Sequence, residues 1–333
     1  MGEAQLRFKS PVRIPGGSEG QKCFYSMKID TYGCGCQHNC SYCYARAQLS
    51  FRNLWNPPRP ADPGEIIRKI DVGLTGKGKL GQYISRRVPF RFGGNTDCFM
   101  PFEEKLGVTR EIIRYLNELR YPYLILTKSA SVASFDVDPE LAYVQFSVST
   151  GDDGWARRLE PGADPPSARL RAMRAVADRG VYCALRINPM LPWYPDGTLE
   201  SGGDSDGKLN WWDLELIDAG VEAGAGTILA GFLRLDPRTL RWTSEAAGID
   251  LRPWFRGKFV NSSLHYSAAE KRIYYEMVAE RTRQAGAEFS VCYDGDDAYN
   301  EFRYLWADQE DCCNGRRNIP AFGATVVEFA PTS

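Results

Sequence analysis

Between residues 27 and 232 the chain alternates strand-like runs with amphipathic helical ones about six times, and this alternation restricts the fold more than any other feature. Met27–Tyr32 alternates apolar and polar residues as a strand does, and Val88–Phe92, Tyr123–Thr127, Tyr143–Ser149, Val181–Ile187 and Gly226–Ala230 are the next strands expected. Between them, Ile112, Leu116 and Leu119 fall on one helical face, and Asp62-Pro-Gly-Glu65 reads as a capped helix start. Ser167 opens a helix that Gly180 closes, and Trp211–Val221 is expected to be helical. Parallel βα units with right-handed crossovers follow, hence an α/β fold built as an incomplete (β/α)6 barrel. We divide the chain into an N-terminal extension (1–26), the partial barrel (27–232) and a C-terminal α+β extension (233–333), in which Ser267-Ala-Ala-Glu270 is a capping-box pattern.

The chemistry is concentrated at Cys36-Gln-His-Asn-Cys40-Ser-Tyr-Cys43, just after the first strand and before a helix that starts at Tyr44. Three thiols at C-x3-C-x2-C suit a [4Fe–4S] cluster that keeps one iron free of protein ligands, because structural zinc and ordinary cluster carriers take four. The zinc alternative needs a fourth ligand, for which Cys34 and His38 are the candidates; His38 otherwise has a supporting place in the loop. Disulfides are not expected, since the start of the chain lacks an apolar secretory stretch and ten cysteines in 333 residues are no small secreted framework. A reducing cytoplasm, bacterial or that of a phage-infected cell, fits free thiols, and no apolar run reaches the roughly 18 residues of a membrane span.

The cysteine motif resembles that of the radical S-adenosylmethionine (SAM) enzymes. Gly35–Arg46 is similar to the branch containing spore photoproduct lyase and its bacterial and phage relatives, and five further segments follow in order: Phe92-Gly-Gly-Asn-Thr-Asp97, Leu126-Thr-Lys-Ser129, Phe146-Ser-Val-Ser149, Leu159-Glu-Pro161 and Ile187-Asn-Pro-Met190. The resemblance implies a radical SAM partial (β/α)6 TIM-like barrel. It implies a [4Fe–4S] cluster on Cys36, Cys40 and Cys43, and SAM chelated to the open iron. In that family an electron from the cluster cleaves SAM, and the 5′-deoxyadenosyl radical abstracts hydrogen. It places Tyr42 beside cluster and adenine, Gly93 and Gly94 near the SAM amino group, Lys128 at its carboxylate, Ser147 and Ser149 at ribose or carboxylate, and Asn188 at the adenosyl group. An external reductant such as flavodoxin or ferredoxin is implied as well. Spore photoproduct lyase carries a hydrogen-donating cysteine just before a T-S-D segment; here the matching stretch is Gly94-Asn-Thr-Asp97 and the nearest thiol is Cys98, a candidate donor or a structural free cysteine.

A net charge of −1 gives no whole-chain footprint for nucleic acid, so any such surface must be local. Arg234, Arg238, Arg241, Arg252, Arg256 and Lys258, with Trp242, Trp254 and Phe255, form the best candidate, or else a solvated loop over a packed core. Cys292, Cys312 and Cys313 are candidates for an auxiliary cluster, and Arg316 and Arg317 for phosphate contact or a solvated turn. The leading expectation is hydrogen abstraction from a thymine-derived base in DNA, by repair-type lysis or rearrangement of a hypermodified thymine. Radical chemistry on a peptide or metabolite, and a zinc-stabilised binding protein, are the alternatives.

Overall fold

The computed structural model describes residues 8, 11–14, 23–191, 214–292 and 301–323. The start of the helix expected from Trp211 lies outside them. An eight-stranded sheet runs β1 (Val12–Arg13), β2 (Lys28–Ile29), β5 (Phe90–Phe92), β6 (Tyr123–Thr127), β7 (Ala142–Ser147), β8 (Tyr182–Met190), β9 (Ala225–Phe232), β10 (Glu288–Val291), with a separate antiparallel pair of β3 (Tyr32–Gly33) and β4 (Arg59–Pro60). Only β1 is antiparallel to its neighbour; every other pairing in the large sheet is parallel. Because spatial order follows chain order, each crossover steps the same way along the sheet, as right-handed βα units do.

The alternation does not stop at residue 232. Glu288–Val291 pairs in parallel with Thr227–Ala230, so the sheet has seven parallel strands where the sequence predicts six. The helices are α1 (Tyr44–Phe51), α2 (Pro63–Leu74), α3 (Gly78–Ser85), α4 (Phe102–Leu106), α5 (Val108–Glu118), α6 (Asp153–Leu159), α7 (Pro166–Ala177), α8 (Glu215–Glu222), α9 (Pro237–Ala247), α10 (Ala268–Gln284), α11 (Gly315–Asn318) and α12 (Pro320–Gly323). Their ends follow local chemistry. Asp62 accepts from Gly64 N–H at 3.0 Å with Pro63 as first helical residue, and Ser267 and Glu270 form the expected capping box on α10.

The two faces of the sheet differ in kind. Val144, Phe146, Leu185 and Ile228 belong to the buried apolar core, as do Ile112 and Leu116 of α5 and Met173 and Val176 of α7. The register puts Gln145, Thr227 and Glu288, and likewise Ser147, Arg186 and Ser290, on the opposite face. That polar face has hydrogen-bonding needs of its own. The segment after residue 310 meets part of them, for Asn314 Nδ2 reaches Glu288 Oε2 at 2.9 Å and Thr227 Oγ1 at 3.3 Å. Among the described residues no helix is long and apolar enough to cross a membrane.

Candidate active site

Residues 34–43 form a loop that leaves β3 and ends at α1, where Cys43 is the N-cap and its Sγ accepts from Arg46 N–H at 3.4 Å. Its shape is enforced by close contacts. Asn39 takes a left-handed φ of 49°, Ser41 N–H donates to Leu159 O at 2.8 Å, and Gly162 N–H donates to His38 O at 3.0 Å. A methyl group at Gly162 would lie 1.9 Å from Gln37 O, so only glycine lets the Glu160-Pro161-Gly162 turn lie against the cysteine loop.

His38 is the loop's internal clamp. Its Nδ1 lies 3.0 Å from Gly162 O, and its Nε2 lies 2.9 Å from Asp97 Oδ2, off the axis of the ring N–H. Burial would lower the His38 pKa, but Asp97 and the Gly162 carbonyl outweigh that and raise it. Burial likewise opposes ionisation of Asp97, yet His38, followed by the N–H groups of Lys128 and Phe99, holds its pKa below the usual value. With both ring nitrogens engaged, His38 is not placed to be a zinc ligand. Cys34, half-buried at φ 68°, has its carbonyl accepting from Asn56 N–H at 2.8 Å. Cys36, Cys40 and Cys43 are free thiols, Cys40 buried and the other two half-buried. Burial pushes the Cys36 thiol up to about 12 and raises Cys40 and Cys43 too, so metal loading must displace protons.

Glu160 is the second centre, fully buried under the loop. Its carboxylate accepts from Tyr42 Oη and from Ser149 Oγ at 2.5 Å, receives Arg169 Nη2 at 2.5 Å and has Lys128 Nζ at 3.5 Å. Burial alone would raise its pKa; the guanidinium of Arg169, then Lys128, Ser149 and Tyr42 overcome that and hold it well below the carboxylate range. Arg169 is itself 0% exposed and completes its donors on Asp164 O at 2.6 Å and Ser147 O at 2.8 Å. Two cations thus face one anion in this network. A site with one surplus positive charge fits a ligand carboxylate, and three thiols beside it fit a metal cluster.

The sequence candidates therefore divide. Tyr42, Lys128 and Ser149 meet on Glu160; Ser147 touches the same network through its carbonyl. Gly93, at φ 85°, has Leu126 O 2.4 Å from where a Cβ would stand, and Gly94 donates N–H to Asp30 at 2.9 Å while its carbonyl accepts from Tyr44 Oη at 2.6 Å. Asn188 lies over Gly231, whose missing Cβ would be 2.5 Å from Asn188 Nδ2. Cys98 is 0% exposed, its Sγ 3.5 Å from Ile29 O among Thr31 and Thr109, and burial raises its pKa. Trp254 and Phe255 are core residues, so they offer no stacking surface; exposed Phe51 and Phe259 do. Arg46 stacks 4.4 Å from the Trp242 ring and Arg238 5.3 Å from Phe51, which brings α9 beside α1. Arg316 and Arg317 pair with Glu310 and Glu288, and His265 is buried. Asp97, Glu160 and Arg169 were not among the expected site residues. The Glu-Pro turn marked Glu160, and an arginine at the position where α7 shows its apolar stripe marked Arg169.

No family model matches the chain. An uncharacterised protein of Mycobacterium tuberculosis is 29% identical over 168 residues, 49% of each chain, so the match spans about half the length of that relative. A radical SAM Nα-GlyT isomerase of Pseudomonas phage M6 is 25% identical over 182 residues, 53% of this chain and 36% of the other. Among solved structures, spore photoproduct lyase complexed with dinucleoside spore photoproduct is similar at a TM-score of 0.62 and 16% identity, covering 84% of this chain and 79% of that one. The fold is that of spore photoproduct lyase.

Proposed function

We infer that this chain, which resembles radical SAM enzymes of the spore photoproduct lyase-like branch, uses Cys36, Cys40 and Cys43 to hold a [4Fe–4S] cluster and binds SAM beside it. The observation that carries the reading is the charge balance under the three-thiol loop: Lys128 and Arg169 against Glu160 alone leaves a cation for the methionine carboxylate. Bound together, cluster and SAM supply a one-electron reductive cleavage whose adenosyl radical can take a hydrogen atom from carbon. The chain's own residues position. Glu160 fixes Tyr42 and Ser149 in the loop, and Arg169 keeps Glu160 ionised. In this reading Gly93 and the second lone pair of the Gly94 carbonyl serve the SAM amino group, Ser147 the ribose or carboxylate, and Asn188 the adenosyl group.

The substrate in this reading is a thymine-derived base in DNA, rearranged or released by lysis. The spore photoproduct lyase complex contains a dinucleoside, and the phage relative is named an isomerase. The surface supports it: Arg52, Arg157, Arg238, Arg252, Arg256 and Lys258 are exposed on or beside α1, α6 and α9, and Arg238 lies over the ring of Phe51, which is 75% exposed. In this reading α9 and the loop after it, within residues 233–333, cap the substrate side, while β10 of the same segment extends the sheet, and a flavodoxin or ferredoxin supplies the electron. Anaerobic reconstitution should give about four irons per chain and broad absorption near about 400 nm. With reductant and deuterated thymine derivatives in DNA, deuterium should enter 5′-deoxyadenosine. Stoichiometric zinc without SAM cleavage would overturn the chemistry, and SAM cleavage without transfer from any nucleic acid would move the substrate to a peptide or metabolite.

A further inference from the structure

The polar face of the sheet carries a cation that the chemistry above does not use. Register pairs Ser147 with Arg186, Arg186 with Leu229 and Leu229 with Ser290, so these four residues stand at one level on that face. It is also the level of the Glu160 network, because the Ser147 carbonyl accepts from Arg169 Nη1 at 2.8 Å. Asn188, two residues further along β8, stands about 7 Å nearer the strand ends at about 3.3 Å per residue. The Arg186 guanidinium donates through Nη1 to Gln145 Oε1 on β7 at 3.1 Å and through Nη2 to the Cys292 sulfur, just after β10, at 2.8 Å. It therefore reaches across β9 on the polar face.

Arg186 lacks a counter-charge. A guanidinium has five N–H donors; an amide oxygen and a sulfur take two, and among the described residues three remain. No carboxylate among the described residues lies within ion-pair distance of it. Glu288, the carboxylate that β10 sets on this face, is met by Arg317 at 3.3 Å and by Asn314 Nδ2 at 2.9 Å, and Asp30, just past β2, is paired with Arg13 at 2.6 Å. Beside the guanidinium, buried polar atoms also lack partners. Gln145 Oε1 is held by Arg186, which fixes Nε2 as the donor, and Nε2 has no partner in hydrogen-bond geometry; neither has Ser290 Oγ. Both residues are 0% exposed, whereas Arg186 is half-buried and so within reach of a ligand. Buried polar groups are as a rule satisfied, and a guanidinium, an amide N–H and a hydroxyl left open together suit an oxygen anion from outside the chain.

We propose that Arg186 determines substrate specificity: with Gln145 and Ser290 it binds a carboxylate carried by the substrate base itself, on the polar face below the strand ends. The inference rests on the radical SAM reading for the face that receives the substrate, and adds the acidic group. In that reading the methionine carboxylate goes to Lys128, which leaves Arg186 to the other ligand. Depth decides between the two sources of an oxygen anion. A backbone phosphate stays with its strand outside the sheet, whereas a base enters by its edge and carries its substituent inward, and Arg186 stands one pleat, about 7 Å, below Asn188. A planar carboxylate also matches a guanidinium edge through two parallel N–H···O bonds. The substrate class is thus a nucleobase with a short acidic arm, not plain thymine.

The test measures binding to the full chain. The probes are single-stranded oligonucleotides holding one 5-carboxymethyluracil or one 5-carbamoylmethyluracil, which differ in charge at nearly equal size, and the free nucleosides of both. Wild type should bind the acid about 10- to 100-fold more tightly than the amide, the scale of a charge-assisted pair. Arg186→Gln should bring the two affinities together, Arg186→Lys should recover part of the difference and Ser290→Ala should lose part, while equilibrium dialysis shows SAM bound to each reconstituted variant as to wild type. No preference in wild type, the result expected if water alone fills the space, overturns the proposal, as does a preference that survives Arg186→Gln. A loss of SAM binding that parallels the loss of acid overturns it too, since Arg186 then serves SAM. A neutral methylphosphonate beside the modified base separates the two anions: if it, and not the amide, removes the dependence on Arg186, the bound group is a phosphate and the carboxylate is refuted. Acid-selective binding of the nucleosides with no oligonucleotide bound supports the subsite and overturns the DNA reading; acid-selective binding without SAM cleavage supports the subsite and overturns the radical chemistry. Should Arg186→Gln not fold, Arg186→Lys and Ser290→Ala carry the comparison, and an unchanged acid preference in both refutes the proposal.

Discussion

Glu160→Gln isolates the charge at the centre of the candidate site. The substitution keeps the volume, and the glutamine carbonyl still accepts from Tyr42 and Ser149, so what is lost is the negative charge facing Arg169 and Lys128. Two unit charges about 4 Å apart at an effective dielectric of about 20 attract by roughly 4 kcal/mol, and breaking a buried pair from one side costs about 3–5 kcal/mol. Arg169 keeps its bonds to the Asp164 and Ser147 carbonyls, which favours the lower part of that range, about 3 kcal/mol. For a urea m-value of about 3 kcal/mol/M this moves the unfolding midpoint of the apoprotein down by about 1 M. Replacing both partners, as in Glu160→Gln with Arg169→Met, should recover much of the loss, because an uncompensated buried guanidinium is the main penalty. The pH dependence has a definite sign. The Glu160 pKa is depressed in the fold, so its stabilisation is present above the ordinary value of 4.5 and is lost as pH falls towards the folded value; the gap between wild type and Glu160→Gln must therefore narrow in acid. A Glu160→Gln protein within about 1 kcal/mol of wild type at neutral pH, or a double variant no more stable than the single one, would refute the electrostatic account.

Gly162→Ala should force the Glu-Pro-Gly turn away from Gln37, costing about 1–3 kcal/mol and reducing iron incorporation per chain, which a thermal melt and an iron assay would show. Lys128→Ala removes the surplus cation and should weaken SAM binding to the reconstituted protein by about tenfold or more, with Lys128→Arg restoring part of it in equilibrium dialysis. Burial lifts the Cys36 thiol from 9.0 to about 12, so iron loading releases protons and should accelerate between pH 7 and pH 9 in a buffered reconstitution series; a flat profile contradicts this. By the same linkage the neutral thiol favours the apo fold below pH 9.0, and that contribution fades as pH rises towards 12.

Local chemistry made much of the scaffold readable. The cap at Asp62, the capping box at Ser267 and Glu270, and most strand runs are decided within a few residues and appear close to where spacing put them; the run Met27–Tyr32 is the exception, divided between β2 in the large sheet and β3 in the separate pair. Long-range facts were not readable that way. The aromatic run at Trp254-Phe255 has the composition of a stacking surface and is core, because burial depends on which helices cover a loop. Glu288–Val291 lies in a segment that reads only as an α+β extension, and it becomes the seventh parallel strand because β9 supplies its neighbour.

The candidate site divides along the same line, between residue type and charge pairing. Cys36, Cys40 and Cys43 are legible because thiols at that spacing have few structural uses. Asp97 and Glu160 are not, since a carboxylate usually reads as surface. Asp97 looks towards His38 and the Lys128 peptide while Cys98, the next residue, is directed at Ile29; one step along the chain separates a loop clamp from a core thiol. Arg169 carries the clearest missed signal. It stands one turn before Ala172 and Met173 on the buried face of α7, where a guanidinium would be ruinous without a carboxylate to meet it. Any sequence that puts arginine on an apolar helical stripe must place an acid nearby, and the Glu160-Pro turn nine residues earlier is where that acid lies. Once Glu160 is committed to Arg169, Lys128 is left with only a share of it, and a lysine whose side chain is 14% exposed with half a partner is the physical reason to expect an anionic group of the ligand there.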